Sequence, residues 1–219
     1  MNIQYYGDYC FKLTTKPGGR ATEDIVVWTD LPDKQTGIRS PFGHADIVLL
    51  SHYGPSDEAL AGLKDEPVII YTPGEYAAKG VSVLGFPTRR DADGGITRGQ
   101  NTIYVFDSED VRIAYLGSLG HELDSATVGK IGEVDILFVP IGGVDTITIK
   151  IADELIRAIG PKIVIPMHYR TEGVSIDAAT IDDFCKETGR TVGEEVARLN
   201  FKNKDLEGKS MEVVFLQKT

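Results

Sequence analysis

The sequence predicts a mixed α/β (α+β) fold in which two β-sheets pack together and helices cover their outer faces. The first half of the 219 residues is rich in short apolar or alternating runs, and the second half alternates helix-like and strand-like segments. Strands followed by mixed αβ units are typical of layered sheets with helices outside. No linker interrupts the chain, so we expect one domain over residues 1–219.

Most strands are predicted from apolar or alternating runs bounded by turn residues. In the first half these runs are Ile3–Tyr6, Cys10–Leu13, Ile25–Thr29, Ile47–Leu50, Val68–Tyr71 and Val81–Phe86. Two further runs, Thr102–Phe106 and Val111–Leu116, are joined by the polar stretch Asp107–Asp110. Such a short polar connection predicts a β-hairpin.

Three helices are predicted in the second half, with strands between them. The first is capped by Asp124 or Ser125 and turns Val128 and Ile131 inward. The second and third carry apolar residues at helical spacing and end at Gly160-Pro161 and at Gly189, which are typical helix stops. Their apolar residues are Ile151, Leu155, Ile156 and Ile159, and then Ile181, Phe184 and Cys185. The predicted strands are Val134–Val139, Lys162–Pro166 and Met211–Leu216.

Composition limits the classes of function. The net charge of −10 and the pI near 4.9 argue against a nucleic-acid-binding face, which needs clustered basic residues. No apolar run reaches the ~18 residues of a membrane span. The first residues do not resemble a signal peptide. We therefore expect a cytoplasmic protein whose Cys10 and Cys185 are small apolar residues in a reducing compartment.

Two histidines stand where a predicted strand ends. His52 follows the buried run Asp46–Leu50, and His168 follows Lys162–Pro166. A single histidine at a strand end is more often a structural residue that is hydrogen-bonded to backbone or to a carboxylate. The pattern is also common in hydrolytic metal centres, in which case further ligands are expected elsewhere in the sequence.

Several segments together resemble one known family. In chain order they read "TDLPDKQTGIRSPFGHADIVLLSH", "TPGEY", "KGVSVLGFPT", "GGITRGQNTIYVF", "RIAYLGSLGH", "VDILFVPIGG" and "PKIVIPMHY". Over roughly residues 1 to 190 the chain is similar to the metallo-β-lactamase superfamily. The similarity is to small Zn-dependent hydrolase-like proteins related to ascorbate-6-phosphate lactonases. This resemblance implies an αββα sandwich with a dinuclear metal site at one edge, between the two sheets.

The first metal motif of the resembled family is largely lost. The family has His-x-His-x-Asp-His, and an ungapped comparison keeps only the first histidine, as His52. Gly54 then stands at the second His, Ser56 at the Asp and Asp57 at the last His. A one-residue gap would instead place Asp57 at the Asp position and Glu58 at the final His.

Three further positions of the implied site are changed. The next His falls on Arg90, and the bridging Asp of "GDLGH" falls on Ser118 in "GSLGH". A site-lining His of "GHSCF" is replaced by Asp8 in "GDYCF". His168, in "PMHY", matches the last ligand of the family.

The remaining residues could hold at most one metal ion. His52, Asp57 and His168 make a two-His-one-carboxylate set that could bind one zinc or another divalent ion. Ser118 carries no charge and cannot bridge two ions as a carboxylate does. A nucleophilic role for Ser118 is not favoured either, because the serine of "GSLGH" is one place too early for a G-x-S-x-G elbow.

Arg90 argues against even one ion. Its guanidinium is always charged. At ~4 Å from a divalent ion, with an effective dielectric near 20, the repulsion is about 8 kcal/mol. We therefore expect Arg90 to enter the site and to replace the metal by an ion pair with Asp57 or Asp8. The alternative, in which Arg90 is a solvated loop residue pointing away, stays open.

Three functions are open at this point. The first is a metallo-β-lactamase-fold, hydrolase-like pseudoenzyme with an eroded, degenerate metal centre, no cofactor and impaired or absent catalysis. The second is a mononuclear hydrolase whose metal on His52, Asp57 and His168 activates water. The third is a non-catalytic binder of a small anion or a partner protein, because the Arg90 fork suits carboxylate and phosphate. The resemblance also permits homo-oligomers.

Overall fold

The computed structural model describes residues 1–16, 23–32, 37–52, 54, 56–171, 177–193 and 195–219. Within these residues, strands form two large sheets and one two-stranded ribbon. The ribbon pairs β4 (Gly43–His44) with β6 (Leu63–Lys64) in parallel. Aromatic and aliphatic residues of both large sheets belong to one buried core, so the sheets pack face to face.

The first sheet has six strands among the described residues. In spatial order they are β14 (Leu199–Asn200), β1 (Asn2–Gly7), β2 (Cys10–Thr15), β3 (Ile25–Thr29), β5 (Ile47–Leu49) and β7 (Val68–Ile70). The strands from β14 to β3 pair antiparallel, and β3, β5 and β7 pair parallel. The inner three strands have almost every residue buried, as expected for strands covered on both faces.

The second sheet has seven strands within the described ranges. In spatial order they are β15 (Glu212–Val213), β13 (Ile163–Met167), β12 (Ile136–Pro140), β11 (Val111–Tyr115), β10 (Gln100–Ser108), β9 (Val81–Arg89) and β8 (Gly74–Ala78). The predicted hairpin is confirmed as β10–β11. Its two turn residues, Glu109 and Asp110, both have positive φ, as a type I′ turn requires.

The helices are α1 (Asp57–Leu60), α2 (Ser125–Ile131), α3 (Ile149–Ile159), α4 (Ile181–Thr188) and a 3₁₀ turn at Asn203–Leu206. The side chains of Asp124, Thr148 and Thr180 cap the three longer helices by accepting a backbone N–H bond. Gly160 and Gly189 end α3 and α4 in the left-handed conformation, as the sequence predicts. No helix in the described part of the chain is long and apolar enough to cross a bilayer.

The central core lies between the sheets and continues under the helices. The ring of Phe11 on β2 meets the edge of Phe138 on β12 at 4.7 Å. On the outer side of the second sheet, α3 buries Leu155 and Ile156 and packs on β12, with α2 and α4 beside it. Full burial of each such side chain contributes roughly 1.5–3 kcal/mol relative to its exposure.

A second apolar cluster covers the outer face of the first sheet. Its largest member is Trp28, whose ring meets Tyr6 edge-on at 4.7 Å and lies 5.5 Å from the Lys12 ammonium. The Trp28 indole N–H donates to the backbone oxygen of His44, 3.1 Å away. Leu63 of the ribbon packs on this cluster, whereas α1 has no buried residue. The ribbon thus shields this face, and the helical layer is thin here.

The predicted strand Met211–Leu216 is only partly correct. The structure has the two-residue strand β15, and Val214 still donates to Val164 of β13. The chain then turns to a different partner, because Val196 bridges Leu216 and exchanges backbone bonds with Phe215 and Gln217. Because the chain pairs first with β13 and then with the segment around Val196, the regular strand is short. The apolar run in the sequence does not reveal this change of partner.

His44 links the ribbon to the first sheet through two carboxylates. Its Nδ1 lies 2.7 Å from Asp65 Oδ2, and its Nε2 lies 2.9 Å from Asp46 Oδ2. The hydrogen bond with Asp65, followed by that with Asp46, raises the pKa of His44 above its ordinary value despite partial desolvation. The protonated ring therefore holds the start of β5 and the end of β6 together.

This contact predicts a pH-dependent stability. A raised pKa in the folded state means that the contribution of His44 is complete below about pH 6.5 and is lost as the pH rises through the folded pKa. We expect the difference in unfolding free energy between wild type and His44→Gln to be below about 1 kcal/mol, because the ring is half exposed. Urea unfolding between pH 5 and pH 9 measures this difference.

The matched control measures the same His44→Gln substitution in an Asp65→Asn background. The hydrogen bond with Asp65 is the largest cause of the raised pKa of His44, and an asparagine at position 65 carries no charge. The effect of His44→Gln should therefore depend less on pH in that background. An equal pH dependence in both backgrounds would contradict the proposed role of His44.

Candidate functional site

The residues singled out by the sequence lie at one edge of the sandwich, which we call the site edge. It is formed by the loops that follow β1, β3, β5, β9, β11, β12 and β13. The two sheets are joined directly here: Thr102 N donates to Ser51 O at 2.7 Å, and the Tyr104 hydroxyl donates to Leu50 O at 2.9 Å. Gly117, at φ 59°, approaches so closely that an added Cβ would lie 2.3 Å from Ser51 Cβ. A side chain at position 117 would push the sheets apart.

Tyr9 lies at the centre of the site edge. Its ring stacks on the imidazole of His168, with centroids 4.5 Å apart and planes 9° apart. The same ring meets His52 edge-on at 5.1 Å, and its hydroxyl donates to Ser118 Oγ at 3.2 Å. Burial raises the pKa of the Tyr9 phenol well above its ordinary value, so it stays neutral. A neutral aromatic ring therefore fills the space between the two histidines.

Both ring nitrogens of His168 are engaged by protein oxygens. Nδ1 lies 2.6 Å from Asp8 Oδ1, and Nε2 lies 2.9 Å from the backbone oxygen of Val144. His168 N also donates to Asp8 O at 3.0 Å. Asp8 and His168 both have positive φ, 55° and 49°, which is uncommon for these residues and is held here by their mutual bonds. Whichever atom carries the shared proton, neither nitrogen points a lone pair into open space.

His52 belongs to a second buried network, built around Asp30. Its Nδ1 lies 2.7 Å from Ser51 Oγ and 3.6 Å from Asp30 Oδ2. Asp30 accepts bonds of 2.6 Å from Ser51 N, Ser51 Oγ and the Tyr115 hydroxyl. Burial alone would raise the pKa of Asp30, but His52 and these hydrogen bonds outweigh it and hold the pKa below its usual value. Asp30 is thus a stable buried carboxylate that fixes the orientation of His52.

Arg90 points into the site edge, as the sequence analysis expected. Its Nε donates to Ser118 Oγ at 3.1 Å, and its Nη1 donates to the backbone oxygen of Arg98 at 3.3 Å. Ser118 is fully buried, and its N–H donates to Asn101 Oδ1 at 2.9 Å. The backbone of Arg90 is held against Gly120, where an added Cβ would lie 1.9 Å from Arg90 O. Only glycine at position 120 permits this approach.

The partner expected for Arg90 is different in the structure. Asp8 pairs with His168, and Asp57 is an exposed residue of the first turn of α1. The described contacts of the Arg90 side chain are instead with a hydroxyl and a backbone carbonyl. The predicted ion pair of Arg90 with Asp57 or Asp8 is therefore absent from the described contacts, because Asp8 is hydrogen-bonded to His168 and Asp57 is exposed on α1.

We refer to Asp8, Tyr9, Asp30, Ser51, His52, Arg90, Ser118 and His168 as the polar cluster. The sequence predicts that Asp8, His52, Asp57, Arg90, Ser118 and His168 line one pocket, and the structure brings five of these together, leaving Asp57 exposed on α1. Tyr9, Asp30 and Ser51 are not among the predicted residues. Tyr9 could have been noticed as the bulky residue of "GDYCF", and Asp30 as a carboxylate directly after the buried run Ile25–Thr29.

The polar cluster does not fit the metal ion that the family resemblance implies. A zinc ion lies about 2.0–2.1 Å from an imidazole nitrogen, along the direction of its lone pair. Both such directions of His168 end on Asp8 and Val144. Asp57, the predicted third ligand, is exposed on α1. Among the residues that the structure describes, no group of three or more His, Cys, Asp or Glu side chains could hold a metal ion.

Comparisons with known proteins agree with the fold. Residues 2–168 match the model of the beta-lactamase superfamily domain family. A UPF0173 metal-dependent hydrolase of Thermoplasma acidophilum is 40% identical over 196 residues, covering 78% of this chain and 84% of its own. A UPF0173 protein of Pyrococcus abyssi is 30% identical over 190 residues, covering 79% and 85%.

A solved structure supports the same superfamily. A metallo-β-lactamase superfamily protein of Thermotoga maritima shares 31% identity with this chain, and the alignment covers 99% of both chains with a TM-score of 0.77. The two packed sheets are those that the resemblance implies. The chain therefore belongs to the beta-lactamase superfamily, as a metal-dependent-hydrolase-like protein with the metallo-β-lactamase fold.

Proposed function

We propose that this chain keeps the metallo-β-lactamase fold but does not carry out metal-dependent hydrolysis, because protein contacts have replaced the metal centre. The observation that carries the proposal is the hydrogen bonding of His168, whose Nδ1 and Nε2 are bonded to Asp8 Oδ1 and to Val144 O. A metal ion at His168 would have to break one of these bonds. It would then leave the Asp8 carboxylate or the Val144 carbonyl, both in part-buried contacts, without this donor, which is unfavourable.

Tyr9 and Arg90 support the same proposal. The Tyr9 ring contacts both histidines, so a metal ion between them would have to displace a buried aromatic side chain. The guanidinium nitrogen Nε of Arg90 lies 3.1 Å from Ser118 Oγ, at the position that the family resemblance assigns to a bridging carboxylate. A dication at ~4 Å from that cation would be repelled by about 8 kcal/mol at an effective dielectric near 20.

The other two functions require changes in this arrangement. A mononuclear hydrolase on His52, Asp57 and His168 would need Asp57 to leave the surface of α1 and His168 to release a partner. A small-anion binder could use Arg90 together with Arg98, but Asp145 already pairs with Arg98. Both functions stay predictions, and the designation of the relatives as metal-dependent hydrolases belongs to those proteins.

Metal analysis tests the proposal directly. The chain, produced with added zinc and then desalted, should contain fewer than about 0.2 metal ions per molecule by emission spectroscopy, because the described residues do not group three ligands together. EDTA should shift its melting temperature by less than about 1 °C, since no bound ion stabilises the folded state. The UPF0173 hydrolase of Thermoplasma acidophilum, prepared in parallel, is the control. One ion per chain together with destabilisation by EDTA would reject the proposal.

Rebuilding the ligands tests which residues block the site. Gly54→His, Arg90→His and Ser118→Asp restore the positions that the family resemblance assigns to ligands. We expect this triple variant to bind zinc weakly, because Asp8 is still hydrogen-bonded to His168 and the Tyr9 ring still stacks on the imidazole. Adding Asp8→His and Tyr9→Ser should tighten binding at least about tenfold, an effect of the size seen when outer partners of metal ligands are changed. Isothermal titration with zinc gives both affinities.

The control for this series is a sextuple variant, in which His168→Ala is added to the five substitutions. It should lose the zinc affinity that Asp8→His and Tyr9→Ser add, because the imidazole that they release is missing. Equal zinc affinity of the triple and quintuple variants would show that Asp8 and Tyr9 do not block the site. Absence of binding in both variants, with the fold retained by circular dichroism, would show that these positions do not form the expected ligand geometry.

A further inference from the structure

The polar cluster is buried although it lies at an edge of the sandwich. Ser118 is 0% exposed, Tyr9 5% and His168 7%. Among the described residues, two loops contact the cluster through backbone oxygens: residues 91–99 after β9 and residues 141–146 after β12. We call these two loops the cover.

Each loop of the cover touches the polar cluster through a backbone oxygen. In the first loop, Arg98 O accepts from Arg90 Nη1 at 3.3 Å. In the second loop, Val144 O lies 2.9 Å from His168 Nε2. The second loop is also anchored by Ile141, which is fully buried, and by Gly142 O, which accepts from Ala179 N at 2.9 Å. The first loop has no buried residue, and its Ile96 is 86% exposed, so it is the less firmly held of the two. Val144 itself is an exposed residue.

One ion pair joins the two loops among the described contacts. The Arg98 guanidinium pairs with the Asp145 carboxylate, and these side chains are 38% and 52% exposed. Exposed ion pairs of this kind are weak, and salt screens them. The contact of the first loop with the second therefore depends on a surface ion pair that solvent can disrupt.

We infer that the Arg98–Asp145 pair is a latch, and that its opening admits water and small solutes to Arg90 and Ser118. Separation of the loops frees Arg98 to move with its backbone oxygen, which releases Arg90 Nη1 and uncovers Ser118 Oγ beneath it. The open form presents the Arg98 guanidinium without Asp145, so it favours anionic solutes. This inference concerns access to the polar cluster and does not depend on whether a metal ion binds there.

A buried reporter thiol measures the opening. In a Cys185→Ser background, Ser118→Cys places a thiol beneath the cover, and Cys10 remains as a fully buried reference on the other face of the first sheet. Modification by iodoacetamide is followed at each cysteine by peptide mass spectrometry. Cys10 reports global unfolding, so modification at position 118 that exceeds it reports local opening.

Asp145→Asn is the test variant, and Asp107→Asn is its matched control. The control breaks the Arg112–Asp107 pair, whose side chains are 33% and 51% exposed, on the β10–β11 hairpin. We expect Asp145→Asn to raise the modification rate at position 118 about threefold, which is the range that loss of an exposed ion pair supports. Asp107→Asn should leave that rate unchanged, and neither variant should change the rate at Cys10.

Salt gives a second arm of the same experiment. Raising sodium chloride from about 0.05 to about 1 M should increase the rate at position 118 in the protein with the latch, because screening weakens the pair. It should have little effect once Asp145 is Asn. Equal rates at position 118 in the Asp145 and Asp107 variants would overturn the inference. So would rates at position 118 that equal those at Cys10 in every variant.

If the Ser118→Cys protein does not fold, amide hydrogen exchange measures the opening of the cover instead. The amides of Ser118 and His168 are bonded to Asn101 Oδ1 and Asp8 O, beneath the cover. With no substitution in the polar cluster, Asp145→Asn should accelerate exchange of both amides about threefold relative to Asp107→Asn. Unchanged exchange would overturn the inference. Metal content is measured separately, so failure of the latch and failure of the proposed function are distinguishable.

Discussion

Each nitrogen of an imidazole ring points in one direction, and in His168 both directions end on protein oxygens, Asp8 Oδ1 and Val144 O. The rest of the site edge depends on this constraint. The bond to Asp8 holds the β1–β2 turn in place, which in turn sets Tyr9 flat against the imidazole. The bond to Val144 holds the second loop of the cover. A residue that the family resemblance assigns to a metal thus organises a network of protein contacts.

The polar groups of the polar cluster are hydrogen-bonded to one another at short range. Asp8 is bonded to His168, and Asp30 accepts three hydrogen bonds beside His52. Arg90 instead donates to the Ser118 hydroxyl and to the Arg98 carbonyl. Buried charges are tolerated only when they are paired or hydrogen-bonded. A dication added to this arrangement would have to break hydrogen bonds that the side chains already make.

The local elements could be predicted from the sequence, whereas the contacts of the site could not. Asp124, Gly160 and the alternation of apolar residues act over a few positions, so they give the helix ends and most strands correctly. Short strands such as Gly74–Ala78 lack the apolar alternation that would reveal them. The inward direction of Arg90 followed from its position in the resemblance. The partner of Arg90 could not be predicted in the same way. Asp8, one of the expected partners, is bonded to His168, which is 160 residues away in the sequence, and only the tertiary fold brings these two together.

The loop of residues 91–99 has an internal frame that is independent of the polar cluster. The Asp91 carboxylate accepts backbone N–H bonds from Asp93, Gly95 and Arg98. Hydrogen bonding with the Asp93 carboxyl, together with these bonds, lowers the pKa of Asp91 to about 2. The carboxylate therefore stays ionised across the physiological pH range, and its three bonds order the backbone of the loop. A contact that Arg98 makes, such as its ion pair with Asp145, orders few additional backbone angles and so costs little conformational entropy.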